Sequence, residues 1–220
     1  MKSLIKRLLF TPKIAKKIVK QLLKIHTLSY NYIGTFSIAA ENGLHPKHRL
    51  MNYHKFFVDN VSANDMVLDI GCGNGALTYD LAKKTKYVYG IDINAKNIEY
   101  ARKKYNTNNI TYIVGDATEY EFNDKFDVIV LSNVLEHIEN RIDFLLEIAD
   151  LSNIFLIRVP MINRDWVVLY KKEIGLPFMS DPTHYTEYTL ESFFDEMHQA
   201  GLKVNNYSIQ FGEIWAKVSK

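Results

Sequence analysis

The densest concentration of potential chemistry in this 220-residue chain is the stretch Met66-Val67-Leu68-Asp69-Ile70-Gly71-Cys72-Gly73-Asn74-Gly75. A short apolar run ends in an acid and breaks into a loop with glycine at every second position. That is the pattern of a buried strand handing over to a tight turn before a helix. Glycine lets a backbone approach a ligand where a Cβ would intervene. Asp69 is expected at the carboxyl end of the strand, with its carboxylate directed into the same crevice. Gly71, Gly73 and Ala76 also satisfy G-x-G-x-x-G/A. The loop alone therefore fits a nicotinamide or flavin dinucleotide, S-adenosylmethionine, or a structural turn without ligand. Cys72, the single cysteine, reads as a small apolar residue in that turn, since no histidine neighbours it.

Alternating strands and helices must position this loop. A helix is expected over Ala76–Lys84, then a strand Tyr87–Asp92 ending in a second acid. Asn94 caps a helix to about Tyr105, Ile110–Val114 makes a third strand, and Gly115-Asp116-Ala117 follows it. Phe126–Leu131 reads as a buried fourth strand running into Ser132-Asn133-Val134-Leu135-Glu136-His137-Ile138. A helix over Arg141–Leu151 and a fifth strand, Ile154–Val159, complete the alternation. In an open parallel sheet the carboxyl ends of the strands lie along the edge where ligands bind. Residues 160–187 break the pattern and hold three of the five prolines together with Arg164, Trp166, Asp181, His184 and Tyr185. Thr189 begins a helix that Gly201 stops, and Lys203–Ile209 with Phe211–Val218 must form a hairpin.

Upstream, Pro12 to about His26 reads as a helix with Lys13, Lys16, Lys17, Lys20 and Lys24 on one face and Ile14, Ile18, Leu22 and Ile25 on the other. It is expected to cap the domain with its lysines solvated, with an anionic membrane surface as the alternative partner. Tyr30, Tyr32 and Phe36 follow in a stretch that could close over a ligand. A further helix is expected from about Lys47 to Asn60 with Leu50, Phe57 and Val61 inward, and Asn52, Tyr53 and His54 beside a pocket. His45, His48 and His54 have no carboxylate at helical spacing, which weighs against a metal site among them.

At 220 residues the chain is one domain with appendages, and its 47% apolar content suits a sizeable core. Residues 1–40 carry eight basic side chains and no acid, leaving −6 for the remainder of a chain whose net charge is +2. A body of that sign offers no general field for nucleic acid, so none is expected as a partner. No apolar run approaches a membrane span, and a lone cysteine suits a reducing cytosol.

Taken together, residues 60–220 resemble the class I S-adenosylmethionine-dependent methyltransferases. The resemblance rests on four motifs in order at strand ends: Val67–Gly75, Gly90-Ile91-Asp92, Gly115-Asp116-Ala117 and Asn133–Ile138. It implies an α/β fold, a Rossmann-like, mostly parallel sheet of seven strands in the order 3-2-1-4-5-7-6 with strand 7 antiparallel and helices on both faces. Residues 1–45 would form a basic helical extension and 46–220 the methyltransferase domain, with 160–187 as a substrate loop. By the same resemblance S-adenosylmethionine would be bound by Asp69, Gly71, Gly73, Gly75, Asp92, Ile93, Asp116, Ala117 and Asn133. Asp92 would meet the ribose hydroxyls and Asp116 the adenine amino group. Some relatives also bind a divalent metal through Glu-x-x-Glu-His; here Asn133 replaces the first carboxylate, so no metal is expected.

Methyl transfer from a sulfonium needs alignment, exclusion of water and, for a hydroxyl acceptor, removal of a proton. His137 and His184 are the candidate bases. Tyr32, Arg158, Arg164, Trp166 and Tyr185 are the candidate acceptor contacts: Trp166 for stacking on a sugar, and Arg158 and Arg164, with Lys171 and Lys172, for phosphate. The expected reaction is O-methylation of a small polar molecule such as a nucleotide-linked or surface-polysaccharide sugar. The alternatives are an N-methyltransferase, a quinone O-methyltransferase, and a cofactor-binding partner protein without catalysis. The protein is expected in the cytoplasm, with residues 1–26 available for peripheral contact at the inner face of the membrane.

Overall fold

The structure, a computed structural model, describes residues 11–41 and 45–220. The expectations resting on Lys2, Lys6 and Arg7 lie outside the described residues. Seven strands form one sheet: β1 Met66–Ile70, β2 Tyr87–Asp92, β3 Ile110–Val114, β4 Val128–Ser132, β5 Ile154–Pro160, β6 Lys203–Gln210 and β7 Glu213–Ser219. Their order is β3-β2-β1-β4-β5-β7-β6, with β7 antiparallel to both its neighbours and the remaining pairs parallel. This is the expected order. The Phe211-Gly212 turn between β6 and β7 has φ of 54° and 75°, the two positive values that a tight hairpin requires.

The central strands bury both faces, which is why they read as continuous apolar runs rather than alternating ones. Leu68, Ile70, Ile129, Leu131, Phe155 and Ile157 enter one hydrophobic cluster, and their neighbours Val67, Val128, Val130 and Leu156 enter the other. Helices α4 Ala76–Ala82, α5 Ala95–Lys104, α6 Arg141–Ile148 and α8 Leu190–Gln199 follow β1, β2, β4 and the long insertion. Local capping fixes where two of them start. Asn94 accepts from the Lys96 and Asn97 amides, and Thr189 and Ser192 form a reciprocal capping box.

Two compact units divide the chain: residues 1–52 with 170–178, and residues 53–169 with 179–220. The first unit takes in part of the insertion. Within this unit α1 runs as one helix from Pro12 to Ala40, well beyond the expected end at His26. Lys171, 7% exposed as a residue, donates from its ammonium to Thr27 Oγ1 at 2.8 Å. The covered line on α1 is Ala15, Val19, Leu23 and Thr27, whereas Ile18, Leu22 and Ile25 are exposed, contrary to the expected inward face. The next helix is also different. Asn52, with φ of 48°, separates α2 Lys47–Met51 from α3 Tyr53–Asp59, leaving Leu50 64% exposed while Phe57 and Val61 are buried. Inside the insertion an unexpected helix, α7, spans Trp166–Glu173.

Candidate active site

The carboxyl ends of β1, β2, β3 and β4 open onto a cavity of about 820 Å³. Gly71, Asp92, Ile93, Asp116, Ala117 and Asn133 all line it, so six of the nine residues proposed for a cofactor converge from four strand ends. Asp92 ties the second strand to the glycine loop. Its Oδ2 accepts from the Gly73 amide at 2.8 Å, and its Oδ1 accepts from the Asn94 amide at 2.8 Å and from Asn97 Nδ2 at 3.4 Å. Oδ2, with one partner, keeps a lone-pair direction for a ligand hydroxyl. Gly71 has φ of +66°, and a Cβ there would lie 2.7 Å from Val134 Cγ2. Gly73, with φ of +53°, is different: nothing lies within 4 Å of where its Cβ would be. Its side of the loop is open to a ligand.

Asp69, Gly73 and Gly75 do not line the cavity. Asp69 is 1% exposed and accepts from Thr78 Oγ1 at 2.7 Å, so it does not point into the crevice as expected. Burial, opposed in part by the Thr78 hydrogen bond, pushes its carboxyl up to about 7. Burial and the carboxylates of Asp69 and Asp92 also push the Cys72 thiol up, which leaves it protonated and inert.

The far side of the cavity is built from the 3₁₀ turn Leu135–His137 after β4 and from the long insertion. The insertion is pinned at its base, where Tyr188 N–H donates to Pro160 O and Ile162 N–H to Tyr188 O. Tyr185 N–H donates to Glu136 O at 2.8 Å, fastening the insertion to the turn. This brings His137 and His184 together, with ring centroids 4.6 Å apart and edges meeting faces. His137 and Tyr185 line the cavity.

The hydrogen bonds fix which ring nitrogens carry protons. Thr183 Oγ1 donates to the Asp181 carboxylate at 2.6 Å and lies 2.9 Å from His137 Nδ1. With the hydroxyl proton so engaged, His137 Nδ1 is assigned as the donor and Nε2 keeps its lone pair. Burial, then the neighbouring His184, lower the His137 pKa, so the ring is neutral at pH 7. His184 Nδ1 faces Glu187 Oε1 at 3.2 Å. Glu187 is held at about 2, because hydrogen bonds from His184, Ser180 and Arg164 outweigh its burial. An ionised carboxylate only accepts, so His184 Nδ1 donates to it.

Glu136 completes the cluster. One ligand-type atom each from Glu136, His137 and His184 lie within 4.8 Å of one another. Both Glu136 oxygens are buried without a hydrogen-bond partner, and burial pushes its carboxyl up to about 8. Two imidazoles and a carboxylate, each imidazole oriented through its second nitrogen, could hold a divalent cation.

The other acceptor contacts are not where the sequence put them. The Arg158 guanidinium lies 3.8 Å from the Tyr53 ring centroid, bonds to Asn133 Oδ1 at 3.1 Å and pairs with Glu213 at 3.1 Å, its side chain only 7% exposed. Arg164 pairs with Glu187. Trp166 is 72% exposed at the start of α7 and does not line the cavity. Tyr32, Lys171 and Lys172 belong to the first compact unit, whereas every residue lining the cavity belongs to the second. His54 bonds to Asp80 at 2.7 Å, and neither it nor Tyr53 lines the cavity. Sequence reasoning missed Glu187, Thr183 and an acidic wall formed by Glu139, Asp143 and Glu147. The wall had a signal, since these acids recur every fourth residue across the start and body of α6.

Residues 68–152 match a family model described as "Methyltransferase domain". The "Probable ribosomal RNA small subunit methyltransferase A" of Pyrococcus abyssi is 32% identical over 156 residues, 67% of this chain and 53% of that protein. The "Ubiquinone biosynthesis O-methyltransferase" of Pelagibacter ubique is 38% identical over 91 residues, 40% of this chain and 38% of that one. The chain spans about half or less of the length of the curated relatives it matches. Among solved structures, magnesium protoporphyrin IX methyltransferase from Synechocystis, with bound S-adenosylhomocysteine, shares the fold with a TM-score of 0.60 at 20% identity, covering 79% of this chain and 82% of that one.

Proposed function

We propose that this chain, which carries a methyltransferase domain over residues 68–152 in the Rossmann-like fold of the class I S-adenosylmethionine-dependent methyltransferases, methylates a hydroxyl of a polar, uncharged acceptor. The observation that carries the reading is the charge of the cavity. Asp92, Asp116, Glu119, Glu139, Asp143 and Glu147 line it, and among the described residues no lysine or arginine does. A dinucleotide would bring a pyrophosphate dianion into a field of carboxylates. S-adenosylmethionine brings a sulfonium and an ammonium, which that field attracts.

In this reading Asp92 holds the ribose hydroxyls, Asp116 and Ala117 hold the adenine, and Gly73, where a Cβ would meet nothing within 4 Å, allows close backbone approach. Bound there, the cofactor supplies a methyl group on a sulfonium that is already an activated leaving group. The chain supplies the proton acceptor. As the acceptor oxygen forms its bond to the methyl carbon, its proton passes to Nε2 of His137 while Nδ1–H stays on Thr183. His184, oriented by Glu187, packs against the His137 ring edge to face.

The same charge argues about the acceptor. The cations expected to meet phosphate lie elsewhere, so the preferred acceptor is a sugar or other polyol without phosphate at the end that enters, its hydroxyls donating to Glu139 and Asp143. A second reading is favoured by the unpartnered oxygens of Glu136: Glu136, His137 and His184 would hold a divalent cation that lowers the pKa of the acceptor hydroxyl. Transfer of labelled methyl to a panel of free glycosides, nucleotide sugars and catechols tests the reading. Turnover of glycosides that survives a chelator supports the base mechanism, and turnover abolished by the chelator and restored by a divalent cation supports the second reading. Turnover of nucleotide sugars or catechols alone would overturn the acceptor assignment.

A further inference from the structure

Helix α1, Pro12–Ala40, carries a feature that methyl transfer does not use. Ile18, Leu22, Ile25, Tyr32 and Phe36 are between 38% and 68% exposed. At 100° per residue they fall within an arc of about 80°, a continuous apolar face about 27 Å long. Leu28 and Ile33, 57% and 65% exposed, flank it. This face is distinct from the covered line Ala15, Val19, Leu23 and Thr27 by which the helix is held. Tyr32 and Phe36 stack on it, with centroids 6.1 Å apart.

The charge on the rest of the helix identifies what covers this face. Lys13, Lys16, Lys17, Lys20 and Lys24 are all exposed, and α1 contains no acidic residue. They occupy a separate arc of about 100° whose centre lies about 150° round the helix from that of the apolar one, so they form its polar face. No described helix is long and apolar enough to cross a membrane. A long helix with an apolar face, a lysine-rich polar face and aromatic rings on the apolar side fits an anionic interface in whose plane it lies.

We infer that the exposed face of α1 is a docking surface for an anionic phospholipid bilayer, with Ile18, Leu22, Ile25, Tyr32 and Phe36 entering the acyl boundary and the five lysines meeting the headgroup charge. This surface is independent of the cavity and of the reaction assigned to it.

Sedimentation of the full chain with phosphatidylglycerol/phosphatidylcholine vesicles, against vesicles of phosphatidylcholine alone, tests the inference. Leu22→Glu with Ile25→Glu changes two exposed side chains on the apolar face, and Lys16→Glu with Lys20→Glu inverts two charges. The wild type should sediment with the anionic vesicles only and be released by salt. Each double variant should lose about tenfold or more in partitioning while binding S-adenosylhomocysteine as the wild type does. The inference is overturned if the wild type stays in the supernatant with anionic vesicles, or if either double variant partitions unchanged. It is equally overturned if sedimentation velocity shows a dimer that Leu22→Glu with Ile25→Glu dissociates, which makes a second copy the occupant.

Discussion

At the scale of single residues, the cluster around His137 is arranged by partners the sequence did not advertise. Glu187 accepts from Ser180, Arg164 and His184, and its carboxyl sits at about 2 instead of the ordinary 4.5. A depressed carboxyl contributes stability that is fully present above pH 4.5 and is lost as pH falls toward 2. Thermal unfolding should therefore show wild type well above Glu187→Gln at pH 6, with the gap narrowing toward pH 2.5. Glu136 has the opposite sign. Its carboxyl is raised to about 8, so the folded state loses stability relative to the unfolded one as pH rises from 4.5 to 8. Glu136→Gln should unfold at a higher temperature than wild type at pH 8 and at nearly the same temperature at pH 4.5. Equal shifts at both pH values would show that the carboxyl is not held protonated. For the reaction, a base whose pKa lies below the ordinary 6.5 predicts a rate that is flat above neutrality and falls in acid. His137→Gln should lower kcat by about 10² to 10⁴ with little change in cofactor affinity.

The elements show why some features were legible and others not. The strands were plain because both faces of the central ones are buried, which makes apolar runs, and because their polar ends gather at one edge. Loop Gly71–Gly75 gives a matched pair of predictions. A methyl at Gly71 meets Val134 and forces the loop, whereas at Gly73 it enters open space at a mildly unfavourable φ. Gly71→Ala should destabilise by about 2–4 kcal/mol in denaturant titration and Gly73→Ala by about 1. Gly73→Ala should nevertheless weaken cofactor binding; full binding by it would place the ligand elsewhere. Helix α1 was truncated in the sequence reading because Ser29, Asn31, Gly34 and Thr35 are weak helix formers, and an exposed helix has no clean inward stripe to compensate. Helix α7 was hidden because Pro160 and Pro177 mark its surroundings, and those prolines flank it without entering it.

At the scale of the whole molecule, charge separates two jobs. The described basic residues of α1 lie in one compact unit, and the acidic cavity belongs wholly to the other. The sequence showed the sign of each region. It did not show that Arg158 and Arg164 are consumed by Glu213 and Glu187, because those partners lie 55 and 23 residues away along the chain and meet only after the sheet and insertion have folded. Those pairings, invisible in the sequence, set Arg158 and Arg164 apart from the strand-end acids that line the cavity.

The central claim, that the acidic cavity takes a sulfonium cofactor and refuses a dinucleotide, is tested most directly by calorimetric titration of S-adenosylmethionine, S-adenosylhomocysteine and NAD into wild type, Asp92→Ala and Asp92→Asn. The account predicts binding of the first two, weakened by roughly 1.5–3 kcal/mol when the Asp92 charge is removed, and no heat from NAD. Binding of NAD, or an affinity for S-adenosylmethionine that ignores Asp92, would contradict it.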